Sequence, residues 1–162
     1  MNDCAFSPCR NYRYSLLHVV DPINPEPGRL AMWIGLNPSK ADERALDPTL
    51  RIIRNLTIMH GCARFVMTNL FAYRATNPKD MLRQLDPVGP KNDATLRRWA
   101  GEADLVVCCW GAHGCHLRRD AAVVKLLSGF DLRCITTTSK GAPHHPLRLR
   151  RTNTLPTWSM PK

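Results

Sequence analysis

The sequence predicts an α/β fold: a three-layer α/β/α sandwich around a central, mainly parallel four-stranded sheet, with an additional N-terminal edge strand. Two observations carry this. Short apolar runs alternate with segments of helical periodicity, and each apolar run stops abruptly at a polar or glycine-containing turn. The chain, at 162 residues, is long enough for one complete core and too short for two ordinary domains. One domain over residues 1–162 is therefore expected, with a basic tail from about residue 150.

Tyr12 to Val20 alternates aromatic, apolar and polar residues as an edge strand does, and the Pro-rich piece Asp21 to Gly28 is a loop. Arg29 to Leu36 is a more buried strand. Asp47-Pro48-Thr49 opens a helix, in which Ile52, Ile53, Leu56 and Met59 recur at helical spacing until His60-Gly61. Arg64 to Thr68 is the next strand, ending at Asn69. Asn92 to Ala100 is a helix leading into the most apolar strand, Leu105 to Trp110, which Gly111 breaks. Ala121 to Leu127 is a helix and Asp131 to Thr136 the last strand, followed by Lys140 to Leu149 and a tail expected to be poorly ordered.

Composition narrows the function classes. Lys and Arg number 23 against 13 Asp and Glu, a net charge of +10, with basic residues dense at Arg118-Arg119 and over 148–151. Such a balance favours a polyanionic partner, nucleic acid first, over a surface basic only for solubility. No apolar run approaches the roughly 18 residues of a membrane span, and no signal peptide precedes the first polar segment, so no membrane partner and a cytoplasmic location are expected. The 7 cysteines are scattered, several within apolar runs, and read as small buried side chains. Cys109, His113, Cys115 and His116 lack the paired spacing of a zinc site, so no metal or other cofactor is expected, and no obligate protein partner is evident. No Gly-rich phosphate loop is present.

Chemistry is expected where the strands end. Parallel strands joined by crossovers bring their carboxyl ends to one edge of the sheet, so the turns after Leu36, Thr68, Trp110 and Thr136 converge there. These turns carry a resemblance. Gly35-Leu36-Asn37-Pro38-Ser39 is similar to the first motif of the uracil-DNA glycosylase superfamily, in the Asn form of the mismatch-specific enzymes. Thr68-Asn69-Leu70 with Arg74 resembles the strand end that bears the base-reading Asn, Val106 to Gly111 resembles the third strand, and His145-Pro146-Leu147 resembles a shortened His-Pro-Ser-Pro-Leu loop. The resemblance runs from about Tyr12 to Leu149 and is closer still to a bacterial and phage family of small domains that looks like a distant branch.

It implies a uracil-DNA glycosylase-like fold and an enzyme that hydrolyses an N-glycosidic bond in DNA after flipping the nucleotide out. In that scheme Asn37 holds the water, Asn69 reads the base, His145 donates to the leaving base or a nearby phosphate, and Leu147 fills the gap in the duplex. Asn37 has a competing role as a turn residue before Pro38. As a neutral amide it makes a poor base, and Asp42, Glu43 or Asp47 would supply the missing negative charge, Asp42 first, since Asp47 reads as a helix cap and Glu43 as a solvated side chain. Phe71 is a candidate to stack on the base, and Arg74, Lys140, Arg148 and Arg150 to contact phosphates.

Two departures bear on substrate. Ser39 stands where the uracil-specific enzymes have a Tyr that closes the pocket against a 5-substituent, which points to a modified pyrimidine such as glucosylated 5-hydroxymethylcytosine in phage DNA, and hence to antiviral defence. The Ser-Pro missing before Leu147 leaves either His144 or His145 as the functional histidine, with His145 preferred because Pro146 fixes its exit. The raw features also fit a non-catalytic nucleic-acid-binding module or a nucleotide-processing protein.

Overall fold

The computed structural model describes residues 2–20, 28–39, 46–147, 149 and 154–161. Its strands are β1 (Asn2–Phe6), β2 (Arg13–Val19), β3 (Leu30–Gly35), β4 (Arg64–Asn69), β5 (Leu105–Cys108) and β6 (Leu132–Cys134). Its α-helices are α1 (Pro48–Met59), α2 (Pro78–Leu82), α3 (Asn92–Glu102) and α4 (Arg119–Leu126), with a 3-10 segment over Ala112–Arg118. The strands form one six-stranded sheet in the order β1-β2-β4-β3-β5-β6. β4, β3, β5 and β6 run parallel, whereas β2 pairs antiparallel with both β1 and β4.

β3 shows why the sheet is buried on both faces. Leu30, Met32 and Ile34 join the core that takes Leu96 and Trp99 from α3 and Val123 from α4. Ala31 and Trp33, pointing the other way, join Leu50, Ile53 and Leu56 of α1. Period-2 alternation thus feeds two cores, one per face, and gives the three layers. Two buried side-chain bonds lock the centre: Trp33 Nε1 donates to Thr57 Oγ1 at 3.1 Å, and Thr68 Oγ1 to the Trp33 carbonyl at 3.0 Å.

Three expectations need correction. The strand expected at the edge, over Tyr12 to Val20, is not the edge: β1, a short and partly exposed strand with little apolar pattern, lies outside β2 and pairs with it from Asn2↔His18 to Phe6↔Arg13. The parallel strands are therefore part of a six-stranded sheet rather than a four-stranded sheet with one added strand. The tail is not loose where it is described, because Leu155 and Trp158 are buried and Trp158 N–H donates to the Leu132 carbonyl at 2.7 Å, covering β6. The Pro-rich loop expected over 21–28 lies outside the described residues apart from Gly28.

The order of connections positions the site. After β3 the chain crosses to β4 on one side, and after β4 it returns to β5 on the other. Adjacent strand ends therefore send their loops in opposite directions, which opens a crevice at the carboxyl ends of β3 and β5.

Candidate functional site

A cavity of about 480 Å³ occupies that crevice. β3 and its turn contribute Gly35, Asn37 and Ser39; β4 contributes Asn69; the segment after β5 contributes Trp110, Gly111 and His113; the loop before the tail contributes His145 and Leu147. Residues far apart in sequence meet because four parallel strands end on one side. Gly111, at φ 73°, turns the chain sharply out of β5, and its N–H bonds the Pro143 carbonyl at 2.8 Å, which ties the β5 exit to the loop bearing His145.

Asn37 is half-buried and its amide is oriented. Nδ2 donates to the carbonyls of Ala75 at 2.8 Å and Pro38 at 3.2 Å. Both donor hydrogens are thus committed, and Oδ1 is left as a hydrogen-bond acceptor without a partner among the described residues.

Asn69 is the converse case. It is 1 % exposed, and neither Nδ2 nor Oδ1 has a hydrogen-bond partner. Leaving such groups buried and unpaired costs about 1–3 kcal/mol each. The backbone around it is held firmly: Asn92 Nδ2 donates to the carbonyls of Asn69 at 3.0 Å and Leu70 at 2.9 Å, and Arg119 Nε adds a bond to Leu70 at 2.9 Å. Arg119 is itself paired with Asp93. Gly35 makes room for the amide, since a Cβ there would lie 2.9 Å from Asn69 Oδ1.

His145 lines the cavity and His144 does not. Leu147 N–H donates to His145 Nδ1 at 3.3 Å, so in the neutral ring the proton sits on Nε2 and that atom is a donor. Burial lowers the pKa of His145; the nearby Asp47 carboxylate pulls upward and His144 adds to the lowering. His144 is structural: its N–H bonds the Thr136 carbonyl at 2.8 Å, and its Nδ1 lies 2.9 Å from the His145 carbonyl.

Ser39 and Leu147 also line the cavity, Leu147 being 38 % exposed. Phe71, expected against the base, is instead fully buried in the core shared with α3 and α4, its ring tilted on His116 with centroids 5.7 Å apart. An aromatic two residues past a strand end reads equally as lid or core, and here the loop turns inward. Arg74 is away from the lining, with Nη1 bonded to the Arg10 carbonyl at 3.0 Å and its guanidinium 5.0 Å from the Phe6 ring centroid. Lys140 is exposed in the tight turn from Thr138 to Gly141, also off the lining. Asp42, Arg148 and Arg150 lie outside the described residues.

Sequence reasoning missed one charged residue of the cavity, Arg13, and ranked another, Asp47, behind Asp42. Arg13 is buried and lines it, though its place in a strand reads as an outward polar position. Asp47 caps α1 as expected, Oδ1 accepting from Leu50 N–H at 2.8 Å, and lines the cavity as well. Among the described residues no disulfide links the cysteines, and burial pushes the Cys109 thiol up to about 12. Among the described residues no three His, Cys, Asp or Glu side chains cluster as metal ligands, and no helix is long and apolar enough to cross a membrane.

A family model described as a protein of unknown function (DUF1643) matches residues 13–147. No curated protein and no solved structure matches the chain.

Proposed function

For this chain, which belongs to that family of unknown function, we propose the activity of a DNA glycosylase that hydrolyses the N-glycosidic bond of a flipped-out modified pyrimidine and leaves an abasic site. The observation that carries the reading is the buried carboxamide of Asn69, which offers a donor and an acceptor with nothing to bond them, at the wall of a cavity that also holds Asn37 and His145. A pyrimidine edge presents one donor beside one acceptor and satisfies both atoms at once.

The remaining groups fit the needs of the bond cleavage. The sugar becomes cation-like as the base leaves with negative charge, so a held water is needed on one side and donors on the other. Asn37 Oδ1, with its nitrogen already committed, accepts from a water; Nε2–H of His145 and Nδ2 of Asn69 donate toward the departing base. Leu147 at the rim is the side chain to fill the vacated stack, and the charge of +10 draws the polyanion. Ser39 at the wall, in place of a Tyr, favours a 5-substituted base, with glucosylated 5-hydroxymethylcytosine of phage DNA as the candidate and antiviral defence as the setting.

The test is strand breakage by alkali after incubation with duplexes carrying uracil, a thymine mismatch, 5-hydroxymethylcytosine or its glucoside. Breaks are expected at a modified base and are lost with Asn37→Ala while binding persists. Absence of breaks on every duplex at stoichiometric protein overturns the proposal, and salt-sensitive binding without breaks identifies a nucleic-acid-binding module instead.

A further inference from the structure

Asp47 is the one acidic side chain among the described residues lining the cavity. Its cap to Leu50 N–H occupies Oδ1 alone, and Oδ2 makes no hydrogen bond to any described residue. The carboxylate is thus fixed by a rigid helix start while one oxygen remains available, the arrangement a catalytic group needs. Its charge acts across the cavity on His145, opposing the effect of burial there. Asn37, by contrast, has both donor hydrogens committed and carries no charge, so it orients a water but cannot take its proton.

We propose that Asp47 is the catalytic base and the anionic partner of the sugar cation, an assignment that rests on the glycosylase reading. Water held by Asn37 Oδ1 gives an oxygen lone pair to C1′ of the deoxyribose, forming the C–O bond. The C1′–N1 bond breaks and its electron pair leaves on the pyrimidine. The carboxylate of Asp47 takes the proton released by the water, and the expelled base, held by Asn69 and His145, gains its proton from solvent. The helix cap and the base are the same carboxylate, which explains why the capping role takes precedence for this residue in the sequence.

Asp47→Asn separates the two roles, because Asn caps a helix as well as Asp does. The variant is expected to melt at the wild-type temperature and bind duplex DNA as wild type does, while single-turnover excision falls about 10²–10⁴-fold. The NMR titration of His145 shifts to lower pH in the variant, because the charge that raises its pKa is gone. Asp47→Ser, also a good cap, gives the same kinetic loss. Excision by Asp47→Asn within about threefold of wild type, or a loss no larger than its fall in stability explains, overturns the assignment and leaves the glycosylase standing. A wild-type protein without excision on any duplex overturns both.

Discussion

Asn37 and Asn69 are the same side chain at the ends of neighbouring strands, and their surroundings give them opposite chemistry. The carbonyls of Ala75 and Pro38 take both hydrogens of Asn37 and leave only an acceptor, whereas Asn69 keeps donor and acceptor unpaired in the dark of the cavity wall. Which atoms each asparagine keeps depends in part on the Ala75 carbonyl, supplied from far along the chain, so the sequence assigned the two residues roles without showing which of their atoms stay available. His145 shows a comparable split from His144, decided by the Thr136 carbonyl that engages the neighbour's backbone. Burial lowers the pKa of His145 below the usual histidine value of about 6.5. A pKa lower in the folded than in the unfolded chain means that the unfolded chain binds more protons in that interval, so stability is complete above about 6.5 and is lost as pH falls through the folded value. His18, also lowered by burial, acts with the same sign. The expected results are an NMR midpoint for His145 below about 6.5 and a shallower acid loss of denaturant stability in His145→Gln; a midpoint at or above that value contradicts the burial of the ring.

Among the elements, those with strong periodicity were legible and those stabilised by their neighbours were not. α1 appears where Asp47-Pro48 announces it, and β3 where the apolar run lies, because capping and burial on both faces are written locally. β1 and the segment 154–161 carry little pattern of their own and exist because an open sheet edge needs covering. Trp158 anchors the latter: 8 % exposed, it packs edge-on against Trp110 with centroids 5.4 Å apart and donates from Nε1 to the Gly141 carbonyl at 3.0 Å. Since Trp110 also lines the cavity, the segment past the matched residues 13–147 supports the site from behind. Trp158→Ala is expected to cost about 3–5 kcal/mol in denaturant unfolding, the range for an aromatic truncated in a packed core. A change below about 1 kcal/mol would show the segment to be undocked in solution.

At the scale of the molecule, a net charge of +10 faces the proposed polyanion. Each phosphate neutralised contributes a slope of about −0.9 to the log–log dependence of affinity on salt, so binding of duplex DNA is expected to weaken steeply as salt rises, and a slope near zero in a fluorescence titration would remove DNA as the partner. The α/β class, the apolar strands, the helices α1, α3 and α4 and the polar turns bearing Asn37, Asn69 and His145 were determined by the sequence itself, since each depends on periodicity or turn chemistry within a few residues. The tertiary structure alone decided that β1 covers β2, that Phe71 turns into the core, and that Arg13 and Asp47 share the cavity with those strand ends. Those outcomes depend on which distant backbone and side chains arrive at the same place, and strand order, which sets that meeting, is a property of the whole chain rather than of any local pattern.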